Sequence, residues 1–210
     1  MLIDTGAPSK WSEIERDVER FLEGRPLDFV FPTHPEFPHG GLLPRWLEKY
    51  PGAQIVGDLR DSDLYYPDLV PRFQTVQAGE RIDLGDRSIL FVPALWRDLP
   101  TTLWAFDTGD RVLFVSDALA FLHFHDEGEC SRLTGEQPPV DVDMMRFNAE
   151  RTLIWTRFAD AAETFPDFDR LLDALVVRII APGHGNVIDD PEIIIPLAKQ
   201  ALISIREVPA

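Results

Sequence analysis

The sequence predicts an α/β protein, and three observations carry that prediction. Short apolar runs alternate with longer amphipathic stretches, the pattern of strands layered against helices. Polar side chains able to bind metal recur where the apolar runs end. No internal repeat or low-complexity linker divides the 210 residues, so a single domain over residues 1–210 is expected.

The elements follow in chain order. Leu2 to Ile3 reads as the end of a strand. Trp11, Ile14, Val18, Phe21 and Leu22 recur at helical spacing and predict a helix from Trp11 to Leu22. Leu27 to Phe31 is a buried strand running into Thr33-His34-Pro35-Glu36-Phe37-Pro38-His39-Gly40-Gly41. A short helix over Gly41 to Tyr50 is stopped by Pro51-Gly52, and Ala53 to Val56 is the next strand. Phe73 to Val76, Ser88 to Val92, Thr101 to Phe106 and Val112 to Val115 predict a meander of antiparallel strands, with turns at Gly85-Asp86 and Gly109-Asp110. Phe147 to Phe165 and Phe168 to Leu175 read as helical, Val176 to Ala181 as a strand, and Pro191 to Ile205 as a closing helix.

Composition narrows the function classes. Hydrophobic residues make up 45%, which excludes a disordered chain or a fibre. No stretch approaches the roughly 20 apolar residues of a membrane span. The Met1-Leu2-Ile3-Asp4-Thr5-Gly6 start lacks the basic and apolar regions of a signal peptide, so a cytoplasmic location is expected. The formal net charge of -16 argues against nucleic acid or an anionic membrane as partner. A lone cysteine, Cys130, excludes an internal disulfide and a paired-cysteine metal knuckle.

The densest chemical signal is His34-Pro35-Glu36-Phe37-Pro38-His39, with two imidazoles and a carboxylate in six residues. Those donors suit zinc, iron and manganese. In an extended loop His34 and Glu36 point the same way, and His39 reaches a second side of the cavity. Asp117 follows the apolar run Val112-Leu113-Phe114-Val115 and Ser116, and His184 follows Ala181-Pro182-Gly183, so both again stand at strand ends. A sheet holds such ligands rigidly while their loops stay open to substrate.

The order of Leu2-Ile3-Asp4-Thr5-Gly6, an amphipathic helix, a strand, the His-x-Glu-x-x-His loop, Ser116-Asp117-Ala118 and Pro182-Gly183-His184-Gly185 resembles the metallo-β-lactamase-fold superfamily. It is nearest in motif to the flavodiiron, oxygen-binding branch, on the strength of Glu36 and of the segment around Asp117. The resemblance runs from Met1 to about Asp189. It implies a metallo-β-lactamase-like αβ/βα four-layer sandwich that lacks its first strands. It also implies that His34 and Glu36 bind one metal, His39 and His184 a second, and that Asp117 bridges them. Two positions depart from the pattern: Pro38 stands where an Asp precedes the second His, and Trp96 where a further His binds metal. His123, His125 and Asp98 are candidates to replace a missing ligand or to act behind the ligands.

The expected activity is hydrolysis of a small apolar or aromatic substrate by metal-bound hydroxide, since a metal lowers the pKa of its water towards about 7. Asp117 and Glu36 are the catalytic candidates, and Trp96, Phe37, Phe121 and Phe124 the pocket candidates. One or two transition-metal ions are expected, zinc ahead of iron and manganese. The alternatives are a diiron oxidoreductase reducing oxygen or nitric oxide, and a non-catalytic subunit of a heteromer. Hydrolysis is placed first because no flavin or nicotinamide fingerprint is visible. The strand at Leu2 to Ile3 is expected at a sheet edge, which favours an oligomer with a related subunit.

Overall fold

The computed structural model describes residues 1–122 and 132–205. The chain divides into two compact units: Met1–Glu80 with Thr101–Leu103, and Arg81–Pro100 with Trp104–Ala210.

The first unit is built on a four-stranded parallel sheet in the order β1 (Leu2–Ile3), β2 (Phe29–Phe31), β3 (Gln54–Gly57), β4 (Phe73–Thr75). Parallel neighbours need crossovers, and helices supply them. Helix α1 (Trp11–Leu22) joins β1 to β2, and a short α2 (Phe37–Gly40) and α3 (Leu43–Lys49) join β2 to β3. Helix α4 (Ser62–Tyr65) and a 3-10 turn over Pro67–Arg72 carry the chain to β4. The expected helix boundaries hold for α1. Its Trp11, Ile14, Val18 and Leu22 pack on a core of Leu27, Val30, Trp46 and Ile55. Trp11 meets Trp46 edge-on at 4.8 Å. Glu23 ends the helix in the left-handed region, with its N–H bonded to the Glu19 carbonyl.

The expected place of Phe73 to Val76 in the antiparallel meander is corrected. The segment forms β4, parallel to β3 with Ile55 opposite Phe73. The fifteen-residue connection from Asp58 to Arg72 holds enough helical turn to return the chain in the same direction.

The second unit holds a five-stranded mixed sheet in the order β5 (Arg81–Asp83), β6 (Ser88–Pro93), β7 (Leu103–Asp107), β8 (Val112–Phe114), β9 (Ile179–Ala181). β5 pairs with β6 and β7 with β8 in antiparallel fashion, whereas β8 and β9 are parallel. The middle strand β7 is buried at every position, as a strand covered on both faces must be. Helices α5 (Val142–Thr152), α6 (Phe165–Leu175) and α7 (Pro191–Ser204) pack against this sheet.

The long helix expected over Phe147 to Phe165 is also corrected. The Asp141 side chain caps α5 by accepting from the Met144 N–H at 2.8 Å, so the helix starts earlier. It ends at Leu153, whose backbone leaves the helical region. The segment beyond is two 3-10 turns, Ile154–Arg157 and Ala161–Thr164, the second capped by the Asp160 carboxylate. No helix among the described residues is long and apolar enough to cross a membrane.

Candidate metal centre

The candidate ligands of the first unit stand just beyond β2. The β1–β2 register places Leu2 opposite Val30 and Ile3 opposite Phe31, so Asp4 emerges beside the loop that β2 feeds. The Asp4 N–H bonds to the Phe31 carbonyl at 2.8 Å. Its carboxylate accepts from the Thr33 N–H at 2.7 Å, from the Thr33 hydroxyl at 3.2 Å, and from His39 Nδ1 at 2.8 Å. Asp4 adopts φ 55°, in the left-handed region that Asp enters more readily than most residues, and these three bonds hold it there. An ionised carboxylate only accepts, so the His39 proton sits on Nδ1 and the lone pair on Nε2. That is the form in which an imidazole binds metal.

His34 and His39 are both buried, with ring centroids 4.0 Å apart. His34 Nδ1 lies 3.3 Å from the Thr33 hydroxyl, and its Nε2 lies 3.8 Å from Glu36 Oε2. The Glu36 carbonyl accepts from the His39 and Gly40 N–H groups at 3.0 and 2.8 Å, which starts the turn of α2. The segment is stapled to the chain start. The Thr5 N–H bonds to the His39 carbonyl at 2.8 Å, and the Leu42 N–H donates to the Thr5 hydroxyl at 3.1 Å. The Tyr66 hydroxyl donates to the Gly40 carbonyl at 3.1 Å, and burial pushes its phenol pKa up, which keeps the donor proton in place. Pro38 lies in the first turn of α2 and offers no donor atom to a metal.

The candidate ligands of the second unit stand at matched positions. Phe114 and Ala181 are partners in the parallel ladder, and Asp117 and His184 each lie three residues beyond. The two loops are tied by the Val115 N–H to the Ala181 carbonyl at 3.1 Å and the Gly183 N–H to the Ser116 carbonyl at 2.6 Å. His184 Nε2 lies 3.4 Å from Asp117 Oδ1. Asp117 is buried, whereas the His184 side chain is 38% exposed. Gly185, at φ 94°, lets the chain turn under Phe121: a Cβ there would lie 3.0 Å from the Phe121 ring and from its carbonyl.

Three of the four expected pocket aromatics lie among the described residues, in different surroundings. Trp96 is a core residue. Its ring stacks on Phe168 at 4.0 Å, and its N–H donates to the Thr164 hydroxyl at 2.7 Å. Phe121 is fully buried beneath Gly185, and Phe37 is exposed at the start of α2. Asp98 is half-buried in the loop after β6, which Trp155 braces by donating to the Arg97 carbonyl at 2.9 Å. His123, Phe124 and His125 lie outside the described residues.

Asp4, Thr5, Thr33 and Tyr66 were not singled out from the sequence. Their one signal was the position of Asp4 and Thr5 directly after the first strand, inside a motif quoted for its likeness alone. Asp4 acquires its role only through pairing with a strand almost thirty residues away.

No protein-family model matches the chain. Over 206 residues the chain is 30% identical to a coenzyme F420H2 oxidase of Methanothermobacter thermautotrophicus, a match covering 90% of this chain and 48% of that protein. It is 29% identical over 193 residues to an anaerobic nitric oxide reductase flavorubredoxin of Vibrio vulnificus, covering 89% of this chain and 37% of the relative. The chain thus spans about half or less of the length of these curated relatives. Among solved structures it resembles rubredoxin oxygen:oxidoreductase of Desulfovibrio gigas, with TM-score 0.73, 19% identity, and 96% and 49% of the two chains covered. The flavodiiron core of Flv1 from Synechocystis gives TM-score 0.74 at 18% identity, covering 95% and 49%. The chain therefore shares the α/β fold of these solved structures.

These findings overturn two expectations. Hydrolysis is overturned as the expected activity, because relatives matched over about nine-tenths of this chain are named as an oxidase and a reductase. Placing zinc ahead of iron gives way as well, because the matched structures are named flavodiiron proteins. The missing flavin fingerprint was a poor guide. A fingerprint absent from this stretch says nothing of where electrons come from.

Proposed function

We propose that this chain, built on the flavodiiron fold, is the metal-binding part of a redox enzyme that reduces dioxygen or nitric oxide at iron. The observation that supports this most directly is the donor set His34, Glu36, His39, joined to a match over 90% of the chain with an oxidase. Imidazole mixed with carboxylate suits iron, and the harder oxygen donor of Glu36 is part of that fit. In this reading the first unit would offer His34, Glu36 and His39 as ligands to iron, and the second Asp117 and His184. Bound there, iron supplies the electron transfer and the affinity for a small gas.

The chain's own residues do the positioning. Asp4 fixes His39 as the Nδ1–H tautomer and holds the ring still. Thr33 clamps Asp4 with both backbone and hydroxyl. The paired loops after β8 and β9 hold Asp117 and His184 at one level of the ladder. Electrons come from a separate donor, a flavin-bearing segment or partner protein.

One observation favours a second reading, a non-catalytic subunit of a larger assembly with a related chain. Trp96 occupies the position expected to carry a further ligand, and its indole is committed to Phe168 and Thr164. Anaerobic reconstitution with ferrous iron, read by metal analysis and Mössbauer spectroscopy, followed by gas consumption with a chemical reductant, decides between them. Close to two irons per chain with consumption of either gas supports the redox reading. A chain that takes up no iron overturns it and leaves the subunit reading.

A further inference from the structure

We infer that Thr33 is a positioning residue for His34: its hydroxyl passes the charge of Asp4 on to that ring, places the ring proton on Nδ1, and leaves Nε2 as the atom that can bind a metal ion. Asp4, Thr33, His34 and His39 all belong to the first unit. The metal-binding half of the inference rests on the proposed function. The place of the ring proton does not.

The Thr33 hydroxyl oxygen lies 3.2 Å from Asp4 Oδ2, 3.3 Å from His34 Nδ1 and 3.4 Å from His39 Nδ1. A hydroxyl carries one proton and accepts through its lone pairs. Two arrangements compete for that proton. In the first it goes to Asp4, and His34 donates its Nδ1–H to the hydroxyl oxygen. In the second it goes to His34 Nδ1, and the hydroxyl lone pairs face the carboxylate. The first wins on strength, because a bond to an ionised acceptor is roughly twice as strong as one between neutral groups. The second also sets two oxygens 3.2 Å apart with no proton between them. Asp4 is held in place by the Thr33 N–H at 2.7 Å. His39 sends its own Nδ1 proton to Asp4 at 2.8 Å and so does not draw on the hydroxyl proton. Glu36 pulls the other way, since its Oε2 lies 3.8 Å from His34 Nε2 and attracts a proton there. That distance is beyond hydrogen-bond reach, and the Glu36 side chain is 54% exposed and screened by water, whereas Thr33 and His34 are buried. One carboxylate thus orders both imidazoles, His39 directly and His34 through a single hydroxyl.

The test reads the ring proton directly, by long-range proton–nitrogen NMR of the metal-free chain in a buffer alkaline enough to keep both rings neutral. The parent should carry Nδ1–H on His34 and on His39. Thr33→Val should move His34 towards Nε2–H and leave His39 as in the parent, because its bond to Asp4 remains. Thr33→Ser keeps the hydroxyl and should keep the parent pattern. Asp4→Asn should reverse the relay: its amide donates to the hydroxyl, the hydroxyl proton goes to His34, and both rings change. Ferrous iron affinity, read anaerobically against a competing chelator, should fall about 10- to 100-fold in Thr33→Val and stay parent-like in Thr33→Ser. If Thr33→Val does not fold, Asp4→Asn carries both measurements. A parent His34 already protonated at Nε2, or a His34 unchanged in the variant, overturns the inference. Unchanged iron affinity in a variant whose ring proton has moved overturns the positioning role. The expected proton pattern in a chain that takes up no iron upholds the relay and overturns the proposed function, whereas iron uptake with the opposite pattern leaves that function standing.

Discussion

Asp4 and His39, thirty-five residues apart, are joined by a 2.8 Å bond between a carboxylate oxygen and Nδ1. The bond turns the residue after the first strand into the anchor of a candidate ligand beyond the second. It leaves the ring one chemical option, with Nε2 as the donor to metal.

Asp4→Asn keeps the shape and removes the charge, so it should weaken iron binding by about 10- to 100-fold, the usual cost of losing a partner behind a metal ligand. Competition with a chromophoric chelator measures this. Parent-like affinity, with the fold intact by circular dichroism, would show that Asp4 serves the backbone alone.

Replacing both His39 and His184 by alanine should lower the metal content, because the proposed ligand set loses two of its three imidazoles. Metal analysis after anaerobic reconstitution is the readout. Full occupancy in the double variant would remove these residues from the ligand set.

Gly185→Ala meets two penalties, a positive φ and a contact at 3.0 Å with Phe121. Together they should cost about 2–4 kcal/mol. Gly79→Ala, with φ 96° and nothing within 4 Å, should cost only about 1–2 kcal/mol. Urea unfolding of both variants checks the difference, and equal losses would mean that Phe121 yields freely.

Trp96→His places the residue type expected from the family pattern into a core slot. It gives up the stack on Phe168 and the bond to Thr164, so stability should fall by about 3 kcal/mol. A variant as stable as the parent would contradict the packing role assigned to this indole.

Asp189 accepts from the Gly135 N–H at 3.0 Å and the Thr134 hydroxyl at 2.8 Å. These bonds, the backbone one first, hold its carboxyl below the ordinary aspartate range. A lowered folded pKa stabilises the protein above the unfolded value, and the gain is lost as pH falls through the folded one. Urea midpoints should therefore drop on acidification below the ordinary carboxylate range, and less steeply in Asp189→Asn. Parallel slopes for the two proteins would refute the assignment.

Local pattern made much of the fold legible. The stripe from Trp11 to Leu22 returned as α1, and the strand-end placement of His34, Asp117 and His184 was visible because apolar runs stop abruptly before each of them. What stayed hidden depended on distant neighbours. β5 carries a single apolar residue, Ile82, between two charged ones, so periodicity could not mark it. The direction of β4 is set by its crossover and not by its own three residues. The stack of Trp96 on Phe168, seventy-two residues on, was equally out of reach of the local pattern.

The ladder that matches Asp117 to His184 is lopsided. β8 is flanked by β7 and β9, while β9 is a three-residue margin strand with β8 as its one sheet neighbour among the described residues, helped by a single bridge from Ile180 to Ile188. Margins fray before centres do. Breathing of β9 would swing the imidazole away while the carboxylate stays anchored. The lifetime of any chelate formed there would then be governed by a local opening far cheaper than global unfolding, and a scavenging chelator would strip the ion from the His184 side.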